Sequence, residues 1–203
     1  MPTRYSGTPL KRLEDPRLLR GQATFVDDLR LAGVRHVAFV RSIHPHARFR
    51  ADVSSACTVP GVVGVFTATD FPPGSGFREI PAMIDHPALR PCRQAPLAQD
   101  KVRYVGEPIA AVVAVDPYVA EDGAAAVRID YDPLAAVPDA HAALAPGAAL
   151  LHDNVGGNVA ADFTVRFGDA DAAFRGAELV TRGRYYVHRY TGMPLETRGV
   201  AAD

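Results

Sequence analysis

The chain has few cysteines, almost no lysine and no long apolar run. Only Cys57 and Cys92 occur in 203 residues. They stand in "SSACTV" and "RPCRQAP", outside any Cys-x-x-Cys pair, so the chain alone offers neither an iron-sulfur cluster nor a cysteine-based structural zinc site. Neither sits in a setting that would activate a thiol. No apolar stretch approaches the ~20 residues that cross a bilayer. The N-terminal "MPTRYSGTPLKRLEDPRLLRG" has no apolar segment followed by small residues, which argues against a secretory signal and for the cytoplasm. Lysine occurs only at 11 and 101, so arginine supplies nearly all the positive charge, and the balance of 22 basic against 23 acidic residues leaves a formal charge of -1. No basic stripe with interleaved aromatics emerges, which excludes a nucleic-acid partner.

With 48% apolar and 22% charged residues, the remaining composition is that of an ordinary globular protein. The first thirty residues carry charge without periodicity and read as an extended arm turning at Gly21, ending in Asp27 and Asp28. "VRHVAFVR" (34–41) is β-branched and aromatic, hence a strand. A short helical turn near Ser54, a Pro60-Gly61 break and the strand "VVGVFTA" follow. From 72 to 100, Pro72, Pro73, Pro81, Pro87, Pro91 and Pro96 remove backbone donors and restrain their predecessors, so a long loop is expected.

The clearest local logic lies between Lys101 and Pro133. A strand, a Gly106-Glu107-Pro108 turn and the apolar strand Ile109–Val115 lead to Asp116, an N-cap, with Pro117 at the first helical position. The alternating "VRIDYDP" closes a strand-helix-strand unit. A strand apolar on both sides belongs at the centre of a sheet, so 109–115 is the expected core. Asp139 should cap a short helix. Beyond Gly156-Gly157, "ADFTVRFG" reads as a strand, "DADAAFRG" as a short helix capped by Asp169 with Gly176 past its end, and "AELVTRGRYYVH" as a long alternating strand.

Motifs that would carry chemistry are incomplete. His44 and His46 are two apart and would share a strand face, a two-ligand metal edge, but no third ligand is near and a structural role explains them better. No Ser stands in Gly-x-Ser-x-Gly. "NVGGNV" lacks the Gly-x-Gly-x-x-Gly order of a dinucleotide loop. Asp169, Asp171 and Glu178 do not match a calcium loop. "MPLETRG" places Glu196 and Arg198 at i and i+2, a carboxylate beside a guanidinium that can fix a polar ligand or form an ion pair. No catalytic residue and no metal ligand set is read from this chain.

Taken in order, "GTPLKRLEDPRLLRGQATFVDDL", "RSIHPHAR", "VPGVVGVFTATD", "PLAQDKVRYVGEPIAAVVAVDPYVAEDGAAAVRIDYDPLAAV", "HDNVGGNV", "GDADAAF" and "HRYTGMPLETRGVAAD" resemble the N-terminal part of the molybdenum hydroxylase large subunit, the xanthine dehydrogenase, aldehyde oxidase and carbon monoxide dehydrogenase family. The resemblance implies an α+β fold: an arm over 1–30, an α/β hammerhead domain over 31–157, and over 158–203 the first strands and short helix of a molybdopterin-binding domain. It implies an oxidoreductase component acting on an aldehyde, N-heteroaromatic or similar carbon centre. The molybdopterin cofactor is held mostly by residues outside this chain, with iron-sulfur and FAD centres on partner subunits. In the family, a Gly-Gly-Phe-Gly segment and a glutamate that acts as base lie further along.

Neither is present here. The expectation is therefore a piece of a large subunit, completed in trans by the remainder and by iron-sulfur and FAD subunits, with no turnover of its own. Many relatives read Pro-Met-Glu-Pro-Arg-Gly where this chain reads Pro194-Leu195-Glu196-Thr197-Arg198-Gly199. Leucine keeps the bulk of methionine, and Glu196 and Arg198 stand as candidates for the cofactor side of the fold. The alternative is a catalytically inactive, stand-alone hammerhead module that acts as a binding or scaffold protein. A small hydrolase or ligand-binding protein using the proline-rich loop has no supporting residues.

Overall fold

A computed structural model describes residues 5, 7–72, 79–80, 86–188, 190–194, 196 and 198–202. The chain resolves into two compact units. One is Val34–Ala172, and the other joins Met1–Gly33 to Ala173–Asp203.

The larger unit holds two antiparallel three-stranded sheets. The first has the order β1-β5-β3, from β1 (His36–Arg41), β5 (Pro108–Ala114) and β3 (Val62–Thr67). The second has the order β4-β2-β6, from β4 (Lys101–Val102), β2 (Ala47–Asp52) and β6 (Arg128–Pro133). The apolar run expected to be central is central: β5 pairs with β1 on one side and β3 on the other, bringing Phe39 and Phe66 level with Ala111. Alternation explains β2, where Ala47, Phe49 and Ala51 turn inward and Arg48, Arg50 and Asp52 outward.

Helix α2 (Pro117–Ala126) begins as its sequence dictates, with Asp116 accepting from the Val119 amide at 2.9 Å and Pro117 in the first turn. It packs on β1 and β5. Gly123 is the contact point: a Cβ there would lie 2.8 Å from Val112 Cγ1 and 2.9 Å from Val62 Cγ2. The strand-helix-strand run does not close on one sheet, since β5 belongs to the first and β6 to the second, and every strand pairing is antiparallel. The helix bridges the sheets because β6 finds β2, whose alternation matches its own, over six consecutive residue pairs. The core cluster Ala47, Ala98, Val102 and Ile109, backed by Phe49, Ile129 and Tyr131, draws on both sheets.

Of the proline-rich loop, residues 73–78 and 81–85 lie outside the described residues; the rest contains no helix or strand, only an isolated bridge from Leu89 to Ala161. Asp139 caps α3 (Ala140–Leu144), accepting from His141 and Ala142 at 2.8 Å each. Asp169 accepts from the Ala172 amide at 2.9 Å at the start of α4 (Ala170–Gly176).

Three further expectations are corrected. The arm is not extended throughout: Asp15–Leu19 forms a short helix, α1, with Pro16 in its first turn and an Arg12–Asp15 ion pair of 2.7 Å at its start. The runs 162–167 and 177–188 form no ladder, because no strand among the described residues pairs with them. A period-two pattern supplies only half of a strand; the other half is a partner edge. His44 and His46 also lie before β2 and not within a strand.

Candidate functional site

The most polar interior of the larger unit surrounds β4. Both residues of this two-residue strand are buried, including Lys101, which is 2% exposed. An ammonium in such a place needs partners. Lys101 Nζ donates to Asp153 Oδ2 at 2.8 Å and to the Leu150 carbonyl at 3.1 Å. Arg103 adds a parallel tie, its Nε donating to the Leu151 carbonyl and its Nη1 to the Lys101 carbonyl, each at 2.9 Å.

Glu107, also 2% exposed, sits in the turn before β5 and accepts from the Arg103 amide. Its own carbonyl accepts from the Ser42 amide at 2.9 Å, while the Ser42 carbonyl accepts from Gly106 at 2.7 Å. Gly106 has φ +89°, a left-handed conformation that admits this turn. Burial raises the Glu107 carboxyl above its ordinary range, against the lowering effect of the Arg103 amide and guanidinium. The Asp153 carboxyl is lowered, first by its bond to Lys101. Burial, then the charges of Arg103 and Lys101, lower the His152 imidazole.

Asn158 completes the cluster. Its Oδ1 accepts from the Leu151 amide at 3.1 Å, and its Nδ2 donates to the carbonyls of Ala149 at 2.9 Å and Ala143 at 3.2 Å. This is a latch that fastens residues 149–158 to β4. Perturbed carboxyl and imidazole groups can mark a catalytic centre, but Lys101, Arg103, Glu107, Asp153 and Asn158 are each committed to the chain's own backbone or to a neighbouring charge. Sequence reasoning passed over Lys101, Glu107 and Asp153. The available signal was one of the chain's two lysines standing where arginine serves everywhere else.

His44 and His46 are not brought together as ligands. His46 is buried, with Nδ1 2.7 Å from the Ala135 carbonyl, so it carries its proton there; its Nε2 has no hydrogen-bond partner among the described residues. The His44 ring packs against Tyr131 at 4.6 Å between centroids. Among the described residues no group of three or more His, Cys, Asp or Glu could hold a metal, and no helix is long and apolar enough to cross a membrane.

Glu196 and Arg198 belong to the smaller unit, and both are exposed. Glu196 Oε1 accepts from the Val26 amide at 2.8 Å, at the head of a 3-10 turn Val26–Asp28. The next donor back, the Phe25 amide, is taken by Asp28 Oδ2 at 3.0 Å. One carboxylate committed to an amide and one exposed guanidinium do not make a cradle for a pterin cofactor. The buried Lys101 and the half-buried Arg103 are likewise committed. Among the described residues the donor set does not fit that group, and no chemical step through it is derived from this chain.

Residues 20–135, which include both antiparallel sheets and α2, match the family model described as aldehyde oxidase and xanthine dehydrogenase, a/b hammerhead domain. The chain belongs to that family. It is 41% identical over 210 residues to the 6-hydroxypseudooxynicotine dehydrogenase complex subunit gamma of Paenarthrobacter nicotinovorans, a match covering 98% of this chain and 25% of the relative. It is 30% identical over 177 residues to the nicotinate dehydrogenase large molybdopterin subunit of Eubacterium barkeri, covering 87% of this chain and 39% of that one. Among solved structures, quinoline 2-oxidoreductase from Pseudomonas putida 86 superimposes with a TM-score of 0.67 at 38% identity, over 76% of this chain and 20% of the other. The chain thus spans about a quarter of the length of the gamma subunit it matches over nearly all of its own.

Proposed function

We propose that this chain is the hammerhead portion of the large subunit of a molybdopterin-dependent hydroxylase or dehydrogenase, working in the cytoplasm and completed by the remaining large-subunit polypeptide. The observation that carries the reading is the 41% identity running through 98% of the chain to a dehydrogenase complex subunit. Iron-sulfur and FAD subunits would take the electrons onward. The reaction class is hydroxylation of an aldehyde, N-heteroaromatic or similar carbon. The molybdopterin is held by the rest of the subunit, consistent with the donor set described above.

The role of this chain's residues is organisational. Lys101, Arg103 and Asn158 fix where the chain leaves the hammerhead, and Glu196 holds the Val26 turn beside the closing motif. Glu196 and Arg198 are the residues of this chain proposed to organise the cofactor side of the completed fold. The test is co-purification. An affinity tag on the 203-residue chain, co-expressed with the rest of the large subunit and its iron-sulfur and FAD subunits from the same genome, is expected to retain them through gel filtration. A chain that elutes alone under those conditions refutes the reading and favours an inactive stand-alone module.

A further inference from the structure

Two cations hold residues 149–158 on the body of the larger unit. Lys101 Nζ binds the Leu150 carbonyl and Asp153 Oδ2, and Arg103 Nε binds the Leu151 carbonyl, so His152 stands in this grip with a held residue on either side. Neither cation can swing away: Lys101 is buried, and Arg103 Nη1 is tied to the Lys101 carbonyl. The charges facing the half-buried imidazole are Arg103, Lys101 on β4, and Asp153 on the segment itself. Around them lie Arg48 on β2, paired with Asp100 at 3.5 Å, and Glu107, which accepts from the Arg103 amide. Each of these three carboxylates already has its donor. A proton on His152 therefore places a third positive charge beside Lys101 and Arg103, against one exposed carboxylate that Lys101 already holds.

The loop 86–92 depends on the same stretch of chain. The Arg90 amide donates to the Ala160 carbonyl at 2.8 Å, Leu89 forms a β-bridge with Ala161, and Asn154 Nδ2 donates to the Pro91 carbonyl at 3.3 Å. The His86 ring packs on Phe163 with 4.9 Å between centroids. Among the described residues, every hydrogen bond leading from 86–92 to another part of the chain ends within 154–163. Asn158 bonds to Leu151 and Ala149, which closes 149–158 into one piece. We propose that the two stretches are an acid-released clasp: a proton taken up by His152 breaks the grip of Lys101 and Arg103 on 149–158, and 86–92 loosens with it while the two sheets stay folded. A loop whose ties all run to one segment shares that segment's opening.

Amide hydrogen exchange on the full chain, corrected for the intrinsic effect of pH, tests this between about pH 7.5 and about pH 5. On acidification the Arg90 amide and the amides of 149–158 are expected to lose protection together, by about threefold to tenfold, one pH unit between folded and unfolded titration midpoints corresponding to about tenfold. Protection across β1, β3 and β5 should stay constant. His152→Asn, neutral throughout, should keep both stretches at their neutral-pH protection. His86→Asn retains an acceptor for the Ala88 amide, which His86 Nδ1 binds at 3.1 Å, and should lose protection as the wild type does. Equal loss in His152→Asn, a loss removed by His86→Asn instead, or loosening of one stretch without the other overturns the proposal. Should His152→Asn fail to fold, NMR titration of the wild-type His152 ring decides: a midpoint below 6.5 that coincides with the loss of protection is expected, and one at or above 6.5 overturns it. All of these measurements are made on the chain without partners, so a failed co-purification leaves their outcome untouched.

Discussion

The amide of Val26 donates to Glu196 Oε1 at 2.8 Å, joining positions 170 residues apart. Close packing accompanies the bond: a Cβ on Gly199 would fall 2.8 Å from Val26 Cγ1 and 2.9 Å from Val26 Cβ. The glutamate and the glycine of "LETRG" therefore converge on one residue of the N-terminal arm. A motif that invites a ligand-binding explanation has, in this structure, an intramolecular target.

Replacing Glu196 with alanine should release the arm. The Val26 amide would lose its acceptor, a change worth about 1 kcal/mol locally. Exchange at Val26 should accelerate and proteolysis within residues 20–30 should become faster, while the melting of the Val34–Ala172 unit stays the same. Gly199→Ala should act in the same direction through the clash with Val26.

At Lys101, alanine would leave the Leu150 carbonyl and the Asp153 carboxylate without their shared donor and remove a buried stem. Unfolding free energy should fall by about 2 kcal/mol, measured by urea titration. Asp153→Asn should cost less, because the Asp153 side chain is 64% exposed and asparagine retains an acceptor.

Gly123 lies inside α2, where alanine would ordinarily add about 1 kcal/mol by helix propensity. Here the new methyl meets Val112 and Val62 at under 3 Å. Overpacking of that kind costs about 1–3 kcal/mol, so Gly123→Ala should be net destabilising by roughly 1 kcal/mol, read as a lower melting temperature.

The latch also sets a pH dependence. His152 is held below its ordinary value near 6.5, by burial and then by Arg103 and Lys101. A lowered histidine contributes its stability fully above that ordinary value, and loses it as pH falls through the lower folded value. Asp153, also lowered, follows with the same sign further into acid, below 3.8. Glu107 has the opposite sign: its raised carboxyl contributes fully below 4.5, and that contribution disappears as pH rises through the folded value. Comparison with His152→Asn isolates the first contribution: as pH is lowered from 7 through the range below 6.5, the melting temperature of the wild type should fall relative to that of the variant.

Much of the larger unit was legible because its signals are local. Asp116-Pro117 and Asp139 cap the helices their side chains dictate, and the unbroken apolar run at 109–114 becomes the middle strand. Strand β2 was not legible. Two of its three inward positions are alanines, Ala47 and Ala51, which barely differ from a loop's small residues, so its hydrophobic contrast is faint although Arg48, Arg50 and Asp52 fill the alternate places. The bridging of two sheets by α2 was also hidden, since strand pairing is a long-range choice. Lys101, Glu107 and Asp153 become a cluster only when a turn brings residues 101 and 153 together. Glu196 was picked out by its motif, but its partner Val26 could not be found from spacing.

The most direct test of the account is the molybdenum content of the purified complex. Elemental analysis of the 203-residue chain, co-purified with the rest of the large subunit and its partner subunits, should give close to one molybdenum per chain, and none for the chain purified alone. A stoichiometric complex without molybdenum, made in cells that load other molybdopterin enzymes, would contradict it.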